Sequence, residues 1–140
     1  MKRWVTIAAL LSGCSALGWY NVTPDTWRTP DLRRVYFMDA TLPAPELEPR
    51  GPVEVEFRQD LGDRSGETAC REVVERTMLE LLTRARELGA NAVYEVESRG
   101  SRHWLKRPVC QVKSMRVKGS KQSREVAVAR LRGLAIYDPR

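Results

Sequence analysis

The chain has 140 residues, with 24 lysines and arginines against 18 aspartates and glutamates, one histidine, three cysteines and a pI near 9.6. That length allows one domain plus appendages. A single histidine and three cysteines without paired spacing exclude the usual zinc centres, and no GxSxG, HExxH or Gly-rich phosphate loop appears. The expectation is a protein that is not an enzyme, with no cofactor, no metal and no catalytic residue.

Residues 1–13 have the anatomy of a secretory leader: Lys2 and Arg3, an apolar run from Val5 to Leu11, then the small residues Ser12 and Gly13. The apolar run is far shorter than the about 20 residues a bilayer-spanning helix needs. LSGC (11–14) resembles the bacterial lipobox, in which cleavage before the cysteine frees it for acylation through its thiolate. Cys14 is therefore the expected lipidation site, each buried methylene contributing about 0.8 kcal/mol of membrane binding. Ser15 stands where an aspartate would signal retention in the inner membrane. The resemblance thus implies an outer-membrane protein facing the periplasm, anchored by the Cys14 lipid, with no nucleic acid partner. The sequon Asn21-Val22-Thr23 then carries no meaning. The periplasm is oxidising, so the remaining two cysteines are read first as a disulfide.

Residues 14–50 read as a lipidated N-terminus and periplasmic spacer, because Pro24, Pro30, Pro43, Pro45 and Pro49 keep the chain extended. Trp19-Tyr20 is expected at the membrane interface. Val35–Met38 is either a docking strand or an apolar piece of linker.

Residues 51–140 form the expected domain. VEVEF (53–57) alternates as a half-buried strand. A helix follows over 70–88, with Cys70, Val74, Met78, Leu81, Leu82, Ala85 and Leu88 on one stripe. Thr68 is its expected N-cap, Gly89 its C′ residue, and Glu72–Arg76 and Glu80–Arg84 its i,i+4 pairs. ANAVYEV (90–96), VCQVKSMRV (109–117) and EVAVARLRGLAIY (125–137) read as strands joined by two hairpins. Ala127, Ala129, Gly133 and Ala135 share a face against which a helix packs closely. The order β-α-β-β-β describes an α/β (α+β) two-layer sandwich, one helix on a small sheet.

Cys70 opens the helix on its buried stripe, and Cys110 lies in a strand that runs beneath it. The pair reads as a disulfide. The alternative is a reactive thiol at a helix N-terminus, hence a redox protein. Glu54, Glu56, Glu95 and Glu97 include spacings that a glycosidase pair could use, but alternation puts them on the wet sheet face opposite Lys113, Arg130 and Arg132. Charge is polarised: residues 14–97 carry 10 basic and 16 acidic side chains, residues 98–140 carry 12 and 2. Both hairpin loops are basic, and RGSRHWLKR offers Arg102, His103, Trp104, Lys106 and Arg107 as a partner-binding cluster. His103 has no nearby carboxylate to make it a general base. Trp and Arg are the residues that anchor interfaces. An anionic ligand such as lipopolysaccharide is the alternative occupant.

The lipobox, the proline-bearing spacer, DLGDRSGETAC, RELGANAV, PVCQV and the closing GLAIY together resemble the RcsF-like outer-membrane lipoprotein family. The resemblance implies a small disulfide-held α/β domain, with Cys70 and Cys110 matching one bridged pair. It also implies a role in envelope-stress sensing or signal transduction through an envelope or inner-membrane protein partner. The family's domains carry two bridges, and Ser98–Lys106 here supplies no second cysteine pair.

Overall fold

In chain order the computed structural model, which describes residues 17–22, 30–37 and 47–139, forms strands β1 (Gly18–Asn21) and β2 (Val35–Phe37), the latter after a 3-10 turn at Pro30–Arg34. Strand β3 (Glu48–Asp60), helix α1 (Gly66–Glu87) and strands β4 (Ala92–Arg99), β5 (Trp104–Leu105), β6 (Val109–Arg116) and β7 (Ser123–Tyr137) follow. The helix lies on one face of a curled mixed sheet, the two-layer α+β arrangement expected. The leader, Cys14 and most of the spacer prolines lie outside the described residues.

The alternation of VEVEF acts as read: Val53 and Val55 are buried, while Glu54 and Glu56 face solvent. Phe57 is half-buried under the Arg76 guanidinium, 4.7 Å from its ring centroid. Helix α1 starts one turn earlier than expected. Ser65, not Thr68, is the N-cap; its hydroxyl oxygen accepts from the Thr68 N–H at 3.2 Å, and Glu67 adds favourable charge in the first turn. Gly89 takes the expected left-handed conformation, φ +81°. The stripe is buried from Cys70 to Ala85, with Val73 and Thr77 added, but Leu88 is 44% exposed because it is the C-cap. Glu80–Arg84 forms at 3.6 Å. Glu72 instead pairs with Arg64 and accepts from Gln59 at 2.7 Å, which leaves Arg76 for Phe57.

Strand β7 organises the sheet. One edge pairs antiparallel with β3 from Val126 to Tyr137. The other edge is shared: β4 takes Leu131–Ile136 and β6 takes Ser123–Val128, both antiparallel. The connection from β4 to β6 is therefore not the expected hairpin. A strand of 15 residues has an edge long enough for both, so they run in the same direction end to end along it, with residues 100–108 as an excursion from the middle. Ser98 bridges the gap, its hydroxyl accepting from the Val109 N–H at 3.2 Å. The β6–β7 connection is a hairpin, as read.

The stretch expected as spacer contributes to this sheet. Val35 and Phe37 are buried where β2 pairs parallel with β4, so Val35–Phe37 is a docking strand. Trp19 and Tyr20 belong to β1, antiparallel to β6, rather than standing apart from the fold. Proline does not prevent this, since both are short edge strands outside the proline positions.

A second small cluster lies on the face away from the helix, made by Ala92, Tyr94 and Ile136 with Tyr36, Leu47 and Leu134. Tyr94 meets Tyr36 edge-on at 4.4 Å and donates its hydroxyl to Asp138 Oδ2 at 2.7 Å. The Asn91 amide clasps the backbone of Asp138, donating to its C=O at 2.6 Å and accepting from its N–H at 2.7 Å. Burial first, then the bond to the Asp138 carboxylate, raises the Tyr94 pKa well above its ordinary value of 10.0. A raised folded-state pKa stabilises below the unfolded value and the contribution is lost as pH climbs through the folded one. Tyr94→Phe is therefore expected to cost about 1.5–3 kcal/mol at neutral pH, the range for a hydrogen bond to a charged group. It should also flatten the fall in stability that the parent shows above about pH 10. Urea unfolding from pH 7 to 11 measures both; parallel pH profiles for the two proteins would contradict the assignment.

Candidate functional site

The face of the sheet turned away from α1 carries the polar outward positions of four strands. Arg130 donates to Glu54 at 2.7 Å, and Arg132 to Glu97 at 3.1 Å. Glu54 stands directly opposite Arg132 in register, and Glu56 opposite Arg130, so the Arg130 bond runs diagonally across the β3–β7 pair. The Glu54 carboxylate raises the Arg130 pKa, chiefly through this hydrogen bond. The carboxylates that could have suggested a glycosidase are thus engaged by arginines, as the alternation predicted for Glu54 and Glu97. Glu95 differs: it sits in a bulge at φ +54°, where β4 inserts an extra residue opposite β7.

Strand β5 brings Trp104 to this face. It folds back onto β4, pairing Trp104 with Arg99 and Leu105 with Ser98. The Trp104 ring then lies under Arg132, 4.0 Å from guanidinium carbon to ring centroid, with Arg130 at 5.6 Å and Arg99 at 5.7 Å. Such contacts are worth about 0.5–1 kcal/mol each at exposed sites. The five residues proposed from sequence lie within the six positions 102–107, around β5. Arg102 and His103 are exposed, and the His103 carbonyl accepts from Gly100 N–H at 2.8 Å, closing the turn. Lys106 is exposed, and Arg107 turns to β1, donating to Asn21 Oδ1 at 3.0 Å. Trp104 alone joins the arginine face. Its companions are Arg99, which opens the same RGSRHWLKR segment, and Arg130 and Arg132, visible in sequence only through the alternation of β7.

Two hollows flank this centre. One of about 630 Å³ lies between β3 and β4 over Gly133, with Glu54, Glu97 and Arg132 on its walls. The other, about 300 Å³, lies beside Trp19, with Arg99, Lys113 and Arg130 against the single carboxylate of Glu56. Trp19 is 43% exposed.

No family model and no curated protein matches the chain. Among solved structures it is similar to a protein of unknown function of the DUF74 family from Pediococcus pentosaceus. The identity is 10%, the TM-score 0.47, and the match covers 74% of this chain and 94% of that one.

The cysteines complete the picture. Cys70 and Cys110 form a disulfide that ties the first turn of α1 to β6, with Cα atoms 5.5 Å apart. Both are buried, at 0% and 1% exposure. An attacking thiolate needs access to a sulfur, so the bridge is built to hold rather than to exchange. Among the described residues no three of His, Cys, Asp and Glu are grouped to hold a metal ion, and no helix is long and apolar enough to cross a membrane.

Proposed function

We propose that this protein is a non-enzymatic lipoprotein of the outer membrane, anchored through Cys14, that binds an envelope or inner-membrane protein through its arginine–tryptophan sheet face in stress sensing or signalling. The observation that carries the reading is Trp104, half-buried on the solvent side of the sheet and flanked by Arg132, Arg130 and Arg99. A rigid aromatic amid arginines on a strand scaffold is the composition of an interface anchor. The lipobox LSGC supports the anchor, and the buried bridge suits an oxidising compartment.

The test is a photoreactive residue in place of Ser101, which is exposed beside both Trp19 and the arginines, in living cells with and without Cys14→Ala. One specific membrane-protein adduct that disappears without the acylated cysteine is the expected result. Absence of any protein adduct would overturn it. The hollow beside Trp19, with three cationic side chains and one carboxylate, favours a second reading, an anionic envelope ligand such as lipopolysaccharide. Adducts to lipopolysaccharide alone would establish that reading in place of the first.

A further inference from the structure

The β6–β7 hairpin, like the 99–107 loop, is strongly basic. RVKGSKQSR (116–124) holds four cations and no carboxylate. Its turn is well formed: Val117 N–H donates to Gln122 C=O at 2.9 Å, Ser120 N–H to Val117 C=O at 3.0 Å, and Gly119 supplies a positive φ of 79°. Arg124 is held by Asp60 at 3.3 Å. Arg116, Lys118 and Lys121 have no ion-pair partner among the described residues. Between them Val117 is 37% exposed, an apolar side chain at the tip of a basic loop.

The direction of β1 gives this tip a neighbour. Gly18 pairs with Val112 and Asn21 with Val109, antiparallel, so β1 starts at the end of the sheet toward which β6 runs, the hairpin end. Leu17, the first described residue there, is 47% exposed. Cys14 is four residues before Gly18, so it lies within about 14 Å of it, at no more than about 3.6 Å per residue. From Val112 to Val117 the strand covers about 17 Å. The described chain therefore begins, at Leu17, at the hairpin end of the sheet, with Cys14 three residues before it in sequence. Leu88 is at the other end, by Gly51, which pairs with Ala135.

We infer that the β6–β7 hairpin docks on the acidic phospholipid headgroups of the membrane that carries the anchor. Arg116, Lys118 and Lys121 pair with phosphodiesters, and Val117 and Leu17 enter the interface. The inference rests on the lipoprotein reading for which membrane is met, but not for the binding itself. Each cation brought to an anionic bilayer strengthens binding about fivefold, and a tethered hairpin needs little more than that. Docked this way, the sheet stands away from the bilayer and leaves the Trp104 face open to a partner.

The test uses the full chain carrying Cys14→Ala and Val117→Cys, whose new thiol is the one free cysteine and takes an environment-sensitive fluorophore. A second protein carries the label at Leu88→Cys instead. Vesicles are neutral phosphatidylcholine, or the same with three parts in ten phosphatidylglycerol. The apolar leader partitions into both, so the comparison is between vesicle types. The expected result is a blue shift at position 117 with anionic vesicles only, none at position 88, and binding weaker by at least about 25-fold when Lys118→Glu and Lys121→Glu are added. Equal shifts at the two positions, a shift indifferent to lipid charge, or indifference to the charge reversals would overturn the inference. Acylation of Cys14 is read separately, by palmitate labelling in cells, so either idea can fail without the other.

Discussion

Removing the Cys70–Cys110 bridge, by reduction or by the double substitution Cys70→Ala/Cys110→Ala, is expected to lower the folding free energy by about 4 kcal/mol. The figure follows from the loop the bridge closes, a sequence separation of 40, in the chain-entropy treatment of the unfolded state. Domains of this size are stable by only about 5–15 kcal/mol in total, so the loss is a large fraction, equivalent to at least about 15 °C in the melting temperature. The native state itself need change little, since Cys70 and Cys110 sit among apolar neighbours, where two thiols behave as small hydrophobes. Guanidinium unfolding with and without reductant measures the loss. Because both sulfurs are shielded, reduction of the folded protein should follow the opening rate rather than the reductant concentration once reductant is high. A loss below about 1 kcal/mol, or fast reduction proportional to reductant, would point instead to an exchangeable, redox-active pair.

What the amino-acid sequence disclosed, and what it hid, divides along local and non-local lines. Val53, Val55 and the Cys70-to-Ala85 stripe were legible because each answers to one period within one element, and burial of that face is what the element is for. The cysteine pair was legible for the same reason: one residue on the buried stripe and one in a strand. Strands β1 and β2 were not, since four and three residues cannot display a period. Their place depends on edges offered by β6 and β4, which is information from elsewhere in the chain. The site suffered most. Proximity along the chain suggested Arg102, Lys106 and Arg107 as the companions of Trp104. The return of β5 onto β4 set Trp104 beside Arg99, five residues away, and the pairing of β4 with β7 added Arg130 and Arg132 from about 30 residues further along the chain. The reading of Gly133 as a small residue on the helix-facing side named its face but not the β4 neighbours that require glycine, and these yield the other large expected effect.

Gly133→Val is expected to cost at least about 3 kcal/mol, and Gly133→Ala about 1–3 kcal/mol, the range for added volume in a filled core. Gly133 was read as one of the small residues that let the helix approach. Ala127 and Ala129 do belong to the core cluster that includes α1. At Gly133, however, a β-carbon would meet Val93 Cγ1 at 2.7 Å, Val96 Cγ2 at 3.0 Å and the Tyr94 carbonyl oxygen at 3.1 Å. These neighbours come from β4, and the cause is its bulge. Register slips between Tyr94 and Glu97, with Glu95 at φ +54°, so Val93 and Val96 both turn inward where strict alternation would send one of them out. Two branched side chains then converge on one β7 position, and only glycine leaves room. A side-chain methyl can give way, but a carbonyl held in a sheet cannot move without disturbing its ladder. A double-mutant cycle separates the two. Val93→Ala removes the closest contact, so Gly133→Ala should cost less in that background than in the parent, by about 0.5 kcal/mol or more. Strictly additive costs would mean that the backbone carbonyl, not Val93, sets the limit. A neutral Gly133→Ala would mean that the bulge relaxes freely. The same bulge aims Glu97 at Arg132, which covers Trp104. A Gly133 variant that remains folded is therefore also the variant in which the arginine–tryptophan face should lose its arrangement.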